Sequence, residues 1–154
     1  MSKKKVYILC GISGSGKSTA ATTVTRDLPA EEYAIVSADK HMVDRSGKWQ
    51  FDPTRLSLCH SICQEELYTA LYAEVPIILV DNTNLVQMHR QLYIDAALKF
   101  GYEVTILVFD IETEVALKRN IHGVPRHTLE TQRRKLDIAP GIYHITYEPI
   151  NKVA

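Results

Sequence analysis

The sequence predicts an α/β fold in which a parallel five-stranded sheet carries helices on both faces. Short apolar runs of strand-forming residues recur along the chain, and the stretches between them place apolar residues three and four positions apart. The run at residues 76–80 is apolar without interruption, which is typical of a parallel strand covered on both faces. Strands that alternate with helices form parallel sheets. The length of 154 residues predicts one domain that spans residues 1–154.

The predicted elements follow from local patterns. The strands are predicted at residues 6–10, 33–37, 76–80, 104–109 and 142–147. The helices are predicted at residues 19–28, from 53 to about 71, from 85 to 100, at 112–120 and from 125 or 126 to about 136. Asp52 and Pro53 suit an N-cap and a first helical position, Asn84 with Gln87 resembles a capping box, and Gly101 suits a helix end.

The composition excludes several classes of protein. Apolar residues make up 45% and charged residues 23%, and the formal net charge is zero, so nothing indicates a chain that is basic as a whole. The apolar runs are too short to span a bilayer, and no membrane partner is expected. The three cysteines are an odd number without metal-site spacing, which favours a reducing compartment. A cytoplasmic location is therefore expected.

Residues 11–18 match the pattern G-x-x-x-x-G-K-[ST] between a predicted strand and a predicted helix. Glycines there let backbone N–H groups turn inward around a phosphate, and the following helix N-terminus favours an anion. Lys17 brings a full positive charge to the outer phosphates, and Ser18 offers a hydroxyl to Mg²⁺. The predicted nucleotide-binding residues are Gly14, Ser15, Gly16, Lys17, Ser18 and Thr19. The motif predicts that ATP or a similar nucleoside triphosphate binds with Mg²⁺.

Acidic residues follow the second and third predicted strands, at the sheet edge where α/β proteins bind ligands. Asp39 comes two residues after the second strand, where a carboxylate can accept the proton of an attacking hydroxyl; the alternative is a helix cap. Asp81 ends the third strand and is predicted to hold Mg²⁺ or to contact the substrate. Thr83 is a further candidate substrate contact, whereas Asn82 and Asn84 are typical of caps and turns.

The segment from 118 to 126 joins two predicted helices and carries Arg119 and Arg126. Arginines on such a segment can stabilise charge on a transferred phosphoryl group and close the site against water. We predict a small lid at about residues 119–126, shaped by Gly123 and Pro125. The alternative is a solvated turn between helices. The charge run at residues 133–135 is most simply a solvated helix face.

Five segments occur in an order and at spacings that resemble a known family: residues 11–19, 37–39, 51–53, 80–84 and 119–125. Together they resemble the kinase domain of the P-loop polynucleotide 5′-hydroxyl kinases and their NEDD4-binding-protein-2-like relatives, over about residues 5–137. The resemblance implies a P-loop NTPase with an adenylate-kinase-like sheet of order 2-3-1-4-5. It implies that Lys17 and Ser18 bind ATP and Mg²⁺, that Asp39 is the general base, and that Asp81 helps build the acceptor pocket. It also implies that lid arginines matching Arg119 and Arg126 hold phosphates.

One position departs from the family pattern. Where the polynucleotide kinases carry an arginine for the substrate phosphate, three residues after the base, this chain has Met42; Lys40, His41 and Arg45 are the nearby cations. The first hypothesis is an ATP-dependent kinase of the 5′-hydroxyl of RNA or DNA. The second, favoured by Met42 and the neutral charge, is a kinase of a nucleoside, nucleotide, sugar or antibiotic hydroxyl. The third is a nucleotide-binding or ATPase module that acts through a partner.

Overall fold

The computed structural model describes residues 3–119 and 123–146. Its five strands are β1 Lys5–Cys10, β2 Tyr33–Val36, β3 Ile77–Asp81, β4 Glu103–Val108 and β5 Gly141–Ile145. Its five α-helices are α1 Lys17–Thr25, α2 Leu56–Tyr72, α3 Gln87–Lys99, α4 Thr113–Arg119 and α5 Arg126–Lys135. Short 3₁₀ turns lie at Ala30–Glu32, Asp39–His41 and Pro53–Arg55. The predicted α/β fold class is confirmed. The last part of the predicted fifth strand, from residue 147, lies outside the described residues.

The strands form one sheet in the order β2-β3-β1-β4-β5, which confirms the predicted order. The first four strands are parallel, so their carboxyl ends share one edge. The prediction of a fully parallel sheet is wrong for β5, which pairs antiparallel with β4 and places Val108 opposite Gly141. The sheet is therefore mixed.

The direction of β5 follows from where the chain lies when α5 ends. Two helices, α4 and α5, separate β4 from β5. The N–H of Asp137 donates to the carbonyl of Leu85 at 3.1 Å, and Asp137 Oδ2 accepts the N–H of Gln87 at 2.7 Å. Both partners follow the carboxyl end of β3, so the chain is still at that edge when it turns into β5. From there β5 runs alongside β4 in the opposite direction.

Alternating side chains of the central strand point into two cores, because successive residues of a strand face opposite sides. Val6 and Ile8 belong to the larger core, which contains the buried stripe of α2 (Cys59, Cys63, Leu67 and Leu71) and the buried side of α3. Leu9 lies in a separate cluster on the other face, against Ala21 of α1. This arrangement confirms helices on both faces. Burying each leucine contributes roughly 1.5–3 kcal/mol. Within the described ranges, no helix has both the length and the apolar character that crossing a membrane requires.

Two predicted helix starts have different outcomes. Asp52 accepts the N–H of Thr54 at 3.0 Å, as predicted, and the 3₁₀ turn that begins at Pro53 leads into α2. The predicted capping box at Asn84 is wrong. Asn84 has a left-handed φ of 48° and is buried, and its Nδ2 donates to the carbonyl of Leu9 at 2.7 Å. The helix starts later, at Gln87, whose N–H is instead accepted by Asp137.

Candidate active site

The glycine-rich loop connects the central strand to α1 at the carboxyl edge of the sheet. Gly14 and Gly16 have φ angles of 80° and 102°, a left-handed conformation that costs glycine little. No described side chain caps α1, which begins at Lys17 directly after Gly16. Because the first N–H groups of a helix have no partner within it, they face the space enclosed by the loop. The local geometry is that of an anion site.

Lys17 lies within this loop and is only 8% exposed. Its Nζ donates to the carbonyls of Gly11 at 2.9 Å and of Ile12 at 2.8 Å. Burial lowers the pKa of Lys17 to about 8, although the negative charge of Asp81 acts in the opposite direction. The ammonium group is therefore protonated in most molecules at neutral pH and is held at the centre of the loop.

Ser18 and Asp81 meet beside this lysine. Ser18 Oγ donates to Asp81 Oδ2 at 2.8 Å, and the sheet register that sets Leu9 opposite Asp81 brings the carboxylate to the loop. Burial raises the pKa of Asp81, while the hydrogen bond from Ser18 and the charge of Lys17 act to lower it. A hydroxyl and a carboxylate that converge in this way are hard oxygen donors. They suit Mg²⁺, which takes few protein ligands and keeps the rest for phosphate and water.

Asp39 begins the 3₁₀ turn after β2, with its side chain exposed at the same edge. Its negative charge acts on both Lys17 and Asp81, so the three groups lie near one another at this edge. Its carboxylate Oδ1 accepts the indole N–H of Trp49 at 3.3 Å. The structure thus brings the predicted base together with the predicted nucleotide and metal residues. Sequence reasoning missed Trp49.

The loop after β3 ties these parts to one another. The carbonyl of Thr83 accepts the N–H of Gly11 at 2.9 Å, so this loop is bonded to the glycine-rich loop. Asn82 Oδ1 accepts the N–H of Ala38 at 2.8 Å, directly before Asp39. Thr83 is half-buried, and its predicted substrate contact stays a prediction. Asn82 and Thr83 therefore connect the turn that carries Asp39 to the glycine-rich loop.

The two predicted lid arginines lie in different surroundings. Arg119 is the last residue of α4, and a Cβ built on Gly16 would lie 3.8 Å from its Nη1, so its guanidinium lies over the glycine-rich loop. Arg126 instead pairs with Glu114 in the first turn of α4; both side chains are more than half exposed. This pair holds Arg126 on the outer side of α4. Residues 120–122 of the predicted lid lie outside the described residues.

Contacts from α4 and α5 also fix the glycine-rich loop. A Cβ built on Gly14 would lie only 2.7 Å from the carbonyl oxygen of Ala116, so the loop backbone packs directly on the backbone of α4. Gln132 Oε1 of α5 accepts the N–H of Ser13 at 2.9 Å. Nothing in the spacing could have predicted this contact, since the two residues are 119 positions apart.

The position that departs from the family pattern faces the core. Met42 is 2% exposed and belongs to the larger core, so an arginine at this backbone position would be buried rather than face the cleft. Lys40 forms an ion pair with Glu66 at 2.7 Å, and His41 contacts the same carboxylate. Arg45 is exposed. Two of the three nearby basic side chains, Lys40 and His41, therefore contact α2.

The sheet order, the loop and the Ser18–Asp81 pair define a P-loop NTPase with a kinase-like arrangement. A family model described as an AAA domain matches residues 6–137, and the chain belongs to this family. The chain is 31% identical over 128 residues to NEDD4-binding protein 2 of Homo sapiens, and this match covers 80% of the chain. It spans about 7% of the length of that relative. The resemblance found in the sequence is thereby confirmed.

Two solved structures share the fold. One is from the Pnkp1/Rnl/Hen1 RNA repair complex, with a TM-score of 0.70 and 20% identity over 88% of this chain and 45% of that chain. The other is the APS kinase CysC of Mycobacterium tuberculosis in complex with AMPPNP and APS. It has a TM-score of 0.59 and 20% identity over 90% of this chain and 78% of that chain. The fold is therefore that of P-loop kinases.

Proposed function

We propose that the chain transfers the γ-phosphate of ATP to a hydroxyl, with the 5′-hydroxyl of RNA or DNA as the acceptor. The observation that carries the proposal is that the exposed Asp39 lies close enough to Lys17 and Asp81 for its charge to act on both, beside the Ser18–Asp81 hydrogen bond. A loop that only binds nucleotide has no use for a carboxylate beyond Asp81, which bonds to Ser18. A hydroxyl kinase does, because the attacking oxygen must lose its proton.

Each group has a distinct role. The loop amides and Lys17 bind the β- and γ-phosphates, and Ser18 with Asp81 would hold Mg²⁺. When bound, Mg²⁺ supplies neutralisation of the phosphate charge. The acceptor oxygen forms a bond to the γ-phosphorus while the bond to the β–γ bridging oxygen breaks, and ADP leaves. Asp39 takes the acceptor's proton, and Arg119 above Gly16 stabilises charge on the phosphoryl oxygens.

Two observations support a polynucleotide acceptor. The five motif segments follow the pattern of the polynucleotide 5′-hydroxyl kinases in order and spacing. The fold matches that of a chain from an RNA repair complex that contains Pnkp1. A small-molecule hydroxyl is the second candidate, favoured by the burial of Met42, the zero net charge and the likeness to an APS kinase.

The test uses ATP labelled at the γ-phosphate, Mg²⁺, and three acceptors: a 5′-hydroxyl RNA, a 5′-hydroxyl DNA and free nucleosides. We expect label to move to an oligonucleotide, and expect Asp39→Asn to lower the rate by at least about a hundredfold. Asp110→Asn removes the same charge from a residue just after β4 and serves as the matched control. Transfer to nucleosides alone would support the second candidate. Hydrolysis or tight ATP binding without transfer to any hydroxyl would refute the proposal.

A further inference from the structure

A short hairpin follows Asp39 and returns the chain to it. Val43 and Trp49 form an antiparallel bridge, and the N–H of Asp44 donates to the carbonyl of Lys48 at 2.8 Å. Gly47 has a φ of 84°, which the reversal of the chain requires. The hairpin therefore brings the indole of Trp49 back to a residue ten positions earlier.

The indole forms a three-centre hydrogen bond with Asp39. Trp49 Nε1 donates to Asp39 Oδ1 at 3.3 Å and to the backbone carbonyl of the same residue at 3.2 Å. An indole N–H only donates, so this bond gives one oxygen of the carboxylate, Oδ1, a fixed donor. Fixing both the carbonyl and the carboxylate of one residue also fixes the rotamer between them.

The donor is itself held by the core. Trp49 is half-buried and packs against the larger hydrophobic core. The N–H of Gln50, the next residue, donates to the carbonyl of Met42 at 3.0 Å. Arg55 Nη1 donates to the carbonyl of Val43 in the opposite arm of the hairpin. The exposed carboxylate is thus fastened to a rigid element, as productive geometry at a catalytic group requires.

We propose that Trp49 is a positioning residue that holds the Asp39 carboxylate in the orientation in which it accepts the hydroxyl proton. The role rests on the proposed function, because it gives Trp49 a part in the same proton transfer. A tryptophan that only packs can donate its N–H to water or to any carbonyl. Here it donates to the carboxylate that takes the proton, in addition to the carbonyl of the same residue.

The contact can be tested without activity. Trp49 is the only tryptophan of the chain, so a ¹H–¹⁵N spectrum shows a single indole resonance that needs no assignment. We expect Asp39→Asn to move this resonance and Asp110→Asn to leave it in place. Equal spectra for the wild type and Asp39→Asn would overturn the proposal, whatever the kinetics show.

The role is tested by Trp49→Phe, which keeps an aromatic ring and removes the donor. We expect kcat to fall roughly tenfold, as loss of one hydrogen bond to a charged group allows, with KM for ATP unchanged. The double variant with Asp39→Asn should be no slower than Asp39→Asn alone. Suppose that Trp49→Phe keeps the wild-type kcat while Asp39→Asn is inactive. This result would overturn the positioning role of Trp49 but would not contradict the proposed function. Full activity in Asp39→Asn would refute Asp39 as the base and overturn the positioning role with it, whereas a loss of transfer to every hydroxyl in the wild type would refute the proposed function.

Discussion

Replacing Gly14 with alanine tests whether the glycine-rich loop is built against α4. The new Cβ would lie 2.7 Å from the carbonyl oxygen of Ala116 and 3.3 Å from its carbonyl carbon and Cα. These are backbone atoms of a helix and cannot rotate away. Either the loop or α4 must shift, and α4 carries Arg119 one turn after Ala116.

The expected cost has two parts. The left-handed conformation, with a φ of 80°, costs a residue that has a Cβ about 1–2 kcal/mol. Forcing a methyl group into a packed site costs about 1–3 kcal/mol more. Gly14→Ala should therefore lower the free energy of unfolding by roughly 2–5 kcal/mol. It should also lower kcat, because Arg119 moves with α4.

Gly101 provides the matched control. Its φ is 79°, almost the same as that of Gly14, and a Cβ built there meets no atom within 4 Å. Gly101→Ala should show only the conformational cost, so the difference between the two variants isolates the contact at about 1–3 kcal/mol. Urea unfolding followed by circular dichroism measures both. If Gly14→Ala proves no less stable than Gly101→Ala, the loop does not pack on Ala116 and the reasoning fails.

Three further predictions follow from other contacts. The kcat/KM for ATP reports pKa values of the free enzyme and should fall above about pH 8, because Lys17, with its lowered pKa, loses its positive charge there. A kcat/KM that stays constant up to about pH 9.5 would contradict this prediction. Asp81→Asn should raise the Mg²⁺ concentration for half-maximal activity at least about tenfold, measured by titration with Asp110→Asn as control. Asp137→Ala should lower the free energy of unfolding by about 2–3 kcal/mol, because the buried Arg90 loses its carboxylate partner. An unchanged urea unfolding curve would show that the Arg90–Asp137 ion pair does not stabilise the fold.

The positions of four candidate site residues could be predicted from the sequence because they depend on short stretches of chain. The position of Lys17 and Ser18 follows from a glycine pattern between a strand and a helix, and the position of Asp39 and Asp81 follows from strand ends. Since the carboxyl ends of parallel strands share one edge, these local facts already place the four residues together. The structure brings them to the same edge of the sheet, and their roles stay predictions until the variants are measured.

Arg126 and Asn84 have contacts that local reasoning did not foresee, and the predicted role of Arg126 stays a prediction. Arg126 is near the lid in sequence, but Glu114 on α4 provides a carboxylate that pairs with it on the outer side. Asn84 has the residue type and spacing of a helix cap, but the carbonyl of Leu9 takes its amide and Asp137 caps α3 in its place. In both cases the partner belongs to a different element of the fold, 12 positions away for Arg126 and 75 for Asn84.

The sequence by itself determined the fold class, the strand order through a family resemblance, and the residues that form the phosphate loop and the acidic edge. Only the tertiary structure decided that β5 runs antiparallel, that Gly14 packs on Ala116 and that Trp49 donates to Asp39. The physical reason is the range of the interactions. Helix and strand periods and loop motifs are set by residues within a few positions of one another. The contacts that orient Asp39 and hold the loop depend on where separate elements meet.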